Sequence, residues 1–385
     1  MKKPVRIAFN ERRALEVFGI LADLWRRHDG IFQGIVLPQD RYRSRLPPDP
    51  KLIARWLFYA AIPMRGGVVS EDPFKWLMAL WEHFPEMFEP ERVAAEWTVQ
   101  RIFAAFRKVT PSILNGSGTG KLSAGSLGYK LPEHATAWHE NSIVLTRHWG
   151  GDLRNVFWGV TEFEEAFRRI DHERRIGKEW NPAGFIGMRR KIFSLLVIWL
   201  QEWKIISDFP TPIPVDFHAL RVLWATGIIR FPRLKPLAPK ERHPAQFAGK
   251  PAVRVRPALV DAIAMWSEKF LTRVGLSHRD VNPALWVLSR ELCTAQFQNQ
   301  SRSGGTLFIE AAELRRNPGL WPKDYSNPCG HCPIERLCTG AIPAAPYYRW
   351  GLLVRSPRVP YSMNLLPGFK WPDVRKVRFR KNDRR

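Results

Sequence analysis

The sequence predicts an all-α protein built as two lobes. Apolar residues recur at three- and four-residue spacing along most of the chain. Alternating strand patterns between paired turns are scarce. At roughly 150 residues per domain, 385 residues make two lobes rather than one. The first helix is expected over 11–28, where Leu15, Val17, Phe18, Leu21 and Leu24 form a broad stripe. The same periodicity predicts helices over 51–62, 73–84, 94–109, 133–149, 188–206, 216–226, 257–274 and 281–294. Between them, 110–130 carries Gly116, Gly118, Gly120, Gly125 and Gly128 and reads as a loop. Residues 231–256 hold five Pro and seven Lys/Arg against one acid, Glu241, which marks a basic insertion. After Cys338 the chain has eleven Lys/Arg against Asp373 and Asp383, a basic tail. No internal repeat is evident.

Composition excludes several classes. Hydrophobic residues make up 45%, enough for a real core, so wholesale disorder is excluded. The longest apolar stretches, such as 195–200, fall far short of the ~20 residues that span a bilayer. Met1-Lys2-Lys3-Pro4 leads into polar residues rather than a signal-peptide core. The expected location is therefore the cytoplasm, on the nucleoid if the source is bacterial, with no membrane partner and a monomeric chain. A net charge of +24 calls for a polyanion, and 17 Trp and 23 Phe beside those cations suit stacking on bases. Most of these aromatics are expected to be core. The stretch Asn115-Gly116-Ser117-Gly118-Thr119-Gly120-Lys121 is not a phosphate loop. It has three residues between its outer glycines where four are needed, and Leu122 follows Lys121.

Four cysteines are too few for a disulfide scaffold of this size. Cys293, Cys329, Cys332 and Cys338 are spaced C-x35-C-x2-C-x5-C. Four thiolates can hold a tetrahedral zinc or a [4Fe–4S] cluster. Zinc sites more often pair two C-x2-C knuckles, so a lone ligand at a helix end followed by a compact loop favours the cluster. Either metal would be structural, because four ligands close the site.

Two other segments stand out. In Pro212-Ile213-Pro214-Val215-Asp216-Phe217-His218, Asp216 precedes a helical run and would serve as its N-cap. In Phe185-Ile186-Gly187-Met188-Arg189-Arg190-Lys191, a glycine sits at the entrance to another helix. Together with the cysteine loop at 329–338, these segments resemble the helix-hairpin-helix (HhH-GPD) DNA glycosylases of the endonuclease III and MutY type. That family's loop reads C-x6-C-x2-C-x5-C, its V-D-x-H segment opens a helix, and its hairpin reads L-P-G-V-G-x-K. Here about 29 residues are inserted between the first two cysteines, and Arg189 replaces the second hairpin glycine. The segments 51–61 and 128–153 also resemble the family's core helices, with His134 in place of a usual lysine.

The resemblance implies a two-lobed HhH-GPD fold with a C-terminal iron–sulfur loop. Residues 1–49 would be an extension whose helix packs on the cluster lobe, and 50–210 a helical bundle with the hairpin at 185–191. Residues 211–340 would form the carboxylate and cluster lobe with insertions at 231–256 and 294–328, and 341–385 the basic tail. It implies excision of a modified or damaged base from double-stranded DNA, with Asp216 as the catalytic carboxylate. Lys191 falls where bifunctional members place a Schiff-base nucleophile for AP-lyase chemistry, and a phosphate-binding or solvated lysine is the other reading. Gly187, Arg189, Arg190 and Arg336 would contact DNA, and the four cysteines would bind the [4Fe–4S] cluster. The alternatives are a non-catalytic nucleic-acid-binding protein of this fold and an N-glycosidase acting on RNA or nucleotides.

Overall fold

The computed structural model describes residues 7–64, 70–115, 131–177, 179–231, 252–254, 257–292, 299–300, 306–307, 329–338, 344–348 and 351–352. Among these the helices, in order, are α1 (Glu11–Arg26), α2 (Asp40–Arg43), α3 (Pro50–Ala61), α4 (Glu71–His83), α5 (Pro90–Glu96) and α6 (Val99–Asn115). They continue as α7 (Leu131–Trp149), α8 (Phe163–Ile170), α9 (Arg190–Glu202), α10 (Phe217–Ala225), α11 (Pro257–Val274) and α12 (His278–Val287). Strands among the described residues are short. β1 (Ala8–Phe9) pairs antiparallel with β4 (Ile229–Arg230), and β2 (Arg175–Ile176) pairs antiparallel with β3 (Glu179–Trp180). The fold class is all-α. No helix among the described residues is long and apolar enough to cross a membrane.

Polar residues start the helices where expected. The Asn10 side chain accepts from Arg13 N at 3.1 Å, Asp49 accepts from Lys51 N at 2.9 Å ahead of Pro50, and Ser277 caps α12. Three expectations are corrected. The helix predicted over 94–109 is two helices, because Trp97 is extended (φ −109°, ψ 143°) and turns its ring into the core. Helix α6 then runs on to Asn115, six residues into the segment read as a loop. The glycines that pointed to that loop begin only at Gly116, outside the described residues. The last predicted helix starts early, at His278, and its final turn widens into a π-turn at Leu288–Leu292.

The chain divides into two units, Val36–Pro214 and Met1–Ile35 with Val215–Arg385. In the first, α3 is the axis: every residue from Ala54 to Ala61 is buried. Tyr59 stacks on Trp138 of α7 at 3.7 Å, and Phe58 meets the edge of Phe185 at 4.8 Å. Ile192, Phe193, Leu196, Val197 and Leu200 of α9 belong to the same core. The buried Arg55 is matched: it donates to Glu91 at 2.9 Å and to the Gly151 carbonyl at 2.8 Å. A buried charge without such partners would be costly. In the second unit, α1 packs on α12, and the β1–β4 pair ties the N-terminal segment to the exit of α10. Phe9 stacks on Trp266 of α11 at 4.4 Å.

Candidate functional site

Asp216 is held by the chain on both sides. Ile213 and Val215 are buried, and the Asp216 backbone is extended (φ −121°, ψ −170°). Its Oδ1 accepts from the backbone N–H of His218 at 2.8 Å and of Ala219 at 3.0 Å. It is thus the N-cap of α10, as its local sequence predicts. Oδ2 makes no hydrogen bond among the described residues, and the side chain is half-buried. The carboxylate therefore has one oxygen fixed at the positive end of a helix, and the other makes no hydrogen bond among the described residues.

Helix α10 is in turn anchored to the π-turn. His218 Nδ1 lies 3.3 Å from Ser289 Oγ, and Arg221 Nη1 donates to the Ser289 carbonyl at 3.3 Å. The Arg290 guanidinium covers the Trp286 ring at 4.8 Å, and that ring meets His218 edge-on at 6.3 Å. The residue after this turn is Cys293. The helix carrying the carboxylate and the segment leading to the first cysteine are thus one packed substructure.

The second candidate lies in the unit Val36–Pro214. Met188 N donates to the Phe185 carbonyl at 3.3 Å, closing a four-residue turn, and Gly187 sits at its third position with φ +84°. A type II turn needs a positive φ there, and glycine supplies it without strain. Arg189 has φ −70° and ψ 164°, backbone any residue adopts. A non-glycine residue at this position therefore leaves the turn undistorted. No side-chain hydrogen bond caps α9 at Arg189, and the turn delivers the chain into the N-terminus of that helix.

An asparagine that sequence reasoning missed fixes this turn. The fully buried Asn141 of α7 accepts from Ile186 N at 2.7 Å and donates to the Ile186 carbonyl at 3.0 Å. The available signal was a polar residue on the buried face that Trp138 and Leu145 define. Asn141→Leu strands both backbone groups, at about 1–3 kcal/mol each. We expect a loss of about 3 kcal/mol in urea denaturation; a loss below ~0.5 kcal/mol would mean that something else holds the turn.

Other candidate residues fall variously. The partly buried Lys191 points its Nζ at the Met64 carbonyl, 3.4 Å away. Arg190 turns inward: it pairs with Glu164 and lies 4.7 Å from the Phe167 ring. Arg189 is exposed, and its Nε donates to Glu173 at 3.0 Å. His134 is buried in α7.

The loop 329–338 is two tight turns, Cys329–His331 and Glu335–Leu337, around the buried Ile334. Cys332 O accepts from Glu335 N at 3.1 Å, and Ile334 O accepts from Cys338 N at 3.1 Å. Cys332 and Cys338 are in no disulfide and are partly exposed, and Arg336 is exposed between them. Cys293 and the Cys329 side chain lie outside the described residues. Among the described residues no group of three His, Cys, Asp or Glu is placed to hold a metal ion. Two thiols presented by so short a loop fit a soft metal centre by their chemistry. The insertions 231–256 and 294–328 and the tail 341–385 lie largely outside the described residues.

Comparison with protein-family models, with curated proteins and with solved structures gives no match.

Proposed function

We propose that this chain is a DNA base-excision glycosylase that takes a modified or damaged base out of the stack and cleaves its N-glycosidic bond. The observation that carries this reading is the turn at 185–188. It keeps the glycine whose positive φ the backbone requires, and leads directly into the N-terminus of α9. Backbone donors at a helix entrance suit a DNA phosphate. Asp216 supports the same reading. Glycosidic cleavage builds positive charge on the deoxyribose. A half-buried carboxylate with one oxygen fixed and the other without a hydrogen bond among the described residues can stabilise that charge, and can accept a proton from the attacking water.

Lys191 we assign to holding the α9 entrance rather than to Schiff-base chemistry, because its amine is directed at a backbone carbonyl. Cys293, Cys329, Cys332 and Cys338 would bind the [4Fe–4S] cluster, which supplies bracing rather than catalysis.

The test is incubation with duplexes carrying oxidised, deaminated, alkylated and hypermodified bases, followed by alkaline cleavage at abasic sites. Strand breaks at one class of base are expected. Duplex binding without any abasic site across the panel would overturn the enzyme reading. A borohydride-trapped adduct lost in Lys191→Ala would overturn the assignment of Lys191.

A further inference from the structure

Residues 171–184 are an excursion spliced into one place in the fold. Phe185 N donates to the Ile170 carbonyl at 2.9 Å, so α8 and the 185–188 turn meet as if the intervening residues were absent. The base of the excursion is locked. The buried Asn181 side chain donates to the Arg169 and Asp171 carbonyls at 3.0 and 3.2 Å and accepts from Ala183 N at 3.1 Å. Gly184 lets the two legs touch, since a Cβ there would lie 2.4 Å from the His172 Cα.

Above this base stands the two-stranded ribbon β2–β3. The Arg175 guanidinium lies 3.6 Å from the centre of the Trp180 ring, yet Trp180 is 50% exposed and Ile176, on the opposite face, 51%. Contrast Arg101 over Trp97 at 4.1 Å, where the ring is 4% exposed and belongs to the core. A stack standing in solvent contributes little to a core. Charge is concentrated around it. Residues 168–191 carry eight Lys/Arg against three acids, whereas the whole of Val36–Pro214 carries 24 against 20. This unit owes its positive balance to the excursion and the adjoining helix ends. Among the described residues, Arg168 and Arg174 make hydrogen bonds only to backbone carbonyls and no ion pair.

We propose that the β2–β3 ribbon is a second nucleic-acid contact, in which Trp180 stacks on an unstacked base while Arg174 and Arg175 meet the backbone phosphates. The partner rests on the glycosylase reading above. An aromatic face beside cations suits a base without Watson–Crick partners, and such a base is what base extrusion leaves on the opposite strand.

The test uses the full chain and a duplex carrying one tetrahydrofuran abasic analogue, with the fully paired duplex alongside. Trp180→Ala is expected to weaken binding of the abasic duplex about tenfold, and Trp180→Phe far less. Arg101→Ala, which removes the guanidinium over the buried Trp97 ring, should leave affinity unchanged. Thermal melting should stay at the wild-type value in Trp180→Ala, because the ring is exposed. If wild type binds neither duplex, the glycosylase reading falls and this contact with it. If wild type binds and excises but Trp180→Ala binds equally well, this contact alone is overturned. A change of oligomeric state in Trp180→Ala at unchanged DNA affinity also overturns it, in favour of a protein-binding ribbon.

Discussion

Asp216→Asn should lower base excision by at least ~10³-fold while leaving the fold and duplex affinity intact. Asparagine is as good an N-cap as aspartate, and its side-chain oxygen can accept the same two bonds from His218 N and Ala219 N. The substitution therefore keeps the capping role and removes only the negative charge. If Asp216 were nothing but a cap, Asp216→Asn would behave as wild type in every assay. Asp216→Ala would then cost about 1 kcal/mol of stability and nothing more. The two variants together separate a structural carboxylate from a chemical one. The readout is single-turnover excision, with affinity measured separately, because loss of an interaction made only in the transition state lowers the chemical rate without weakening binding. Equal single-turnover rates in wild type and Asp216→Asn would remove Asp216 from the chemistry.

What the sequence made legible follows from scale. Long stripes were readable: α11 occupies the predicted 257–274, and Asp216 caps α10 as its neighbours required. Helix α8 escaped notice because eight residues give barely two turns of periodicity, with only Phe163, Ala166 and Ile170 turned inward. The excursion at 171–184 was not readable at all. Its closure depends on backbone contacts that bring 170–171 against Phe185, which no local pattern encodes. The same holds for the Asn141 clamp on Ile186, made across 45 residues. Arg189 shows the converse. As a letter it broke a glycine pattern, and as a conformation it breaks nothing, because its φ is −70°.

The second large effect concerns the cysteines. Protein purified without oxygen should be brown and hold about four iron atoms per chain, and Cys332→Ser or Cys338→Ser should each lose the iron and the visible absorbance. Among the described residues, the loop 329–338 buries Ile334 between its two turns. So short a segment gains order chiefly from what its ligands hold, and metal binding then contributes directly to folding. The loss should spread. Cys293 follows the Leu288–Leu292 turn, and that turn, through Ser289, grips His218 and Arg221 of the helix that Asp216 caps. If Cys293 holds the metal, its release should loosen the π-turn and with it α10. Cysteine variants should therefore show faster amide hydrogen exchange in 217–225 and a lower melting temperature as well as bleaching. Asp216→Asn, by contrast, should keep full iron and wild-type exchange. A colourless protein with one tightly held zinc would replace the cluster while keeping the bracing role. Unchanged exchange in 217–225 after metal loss would break the link between the cysteine centre and the carboxylate.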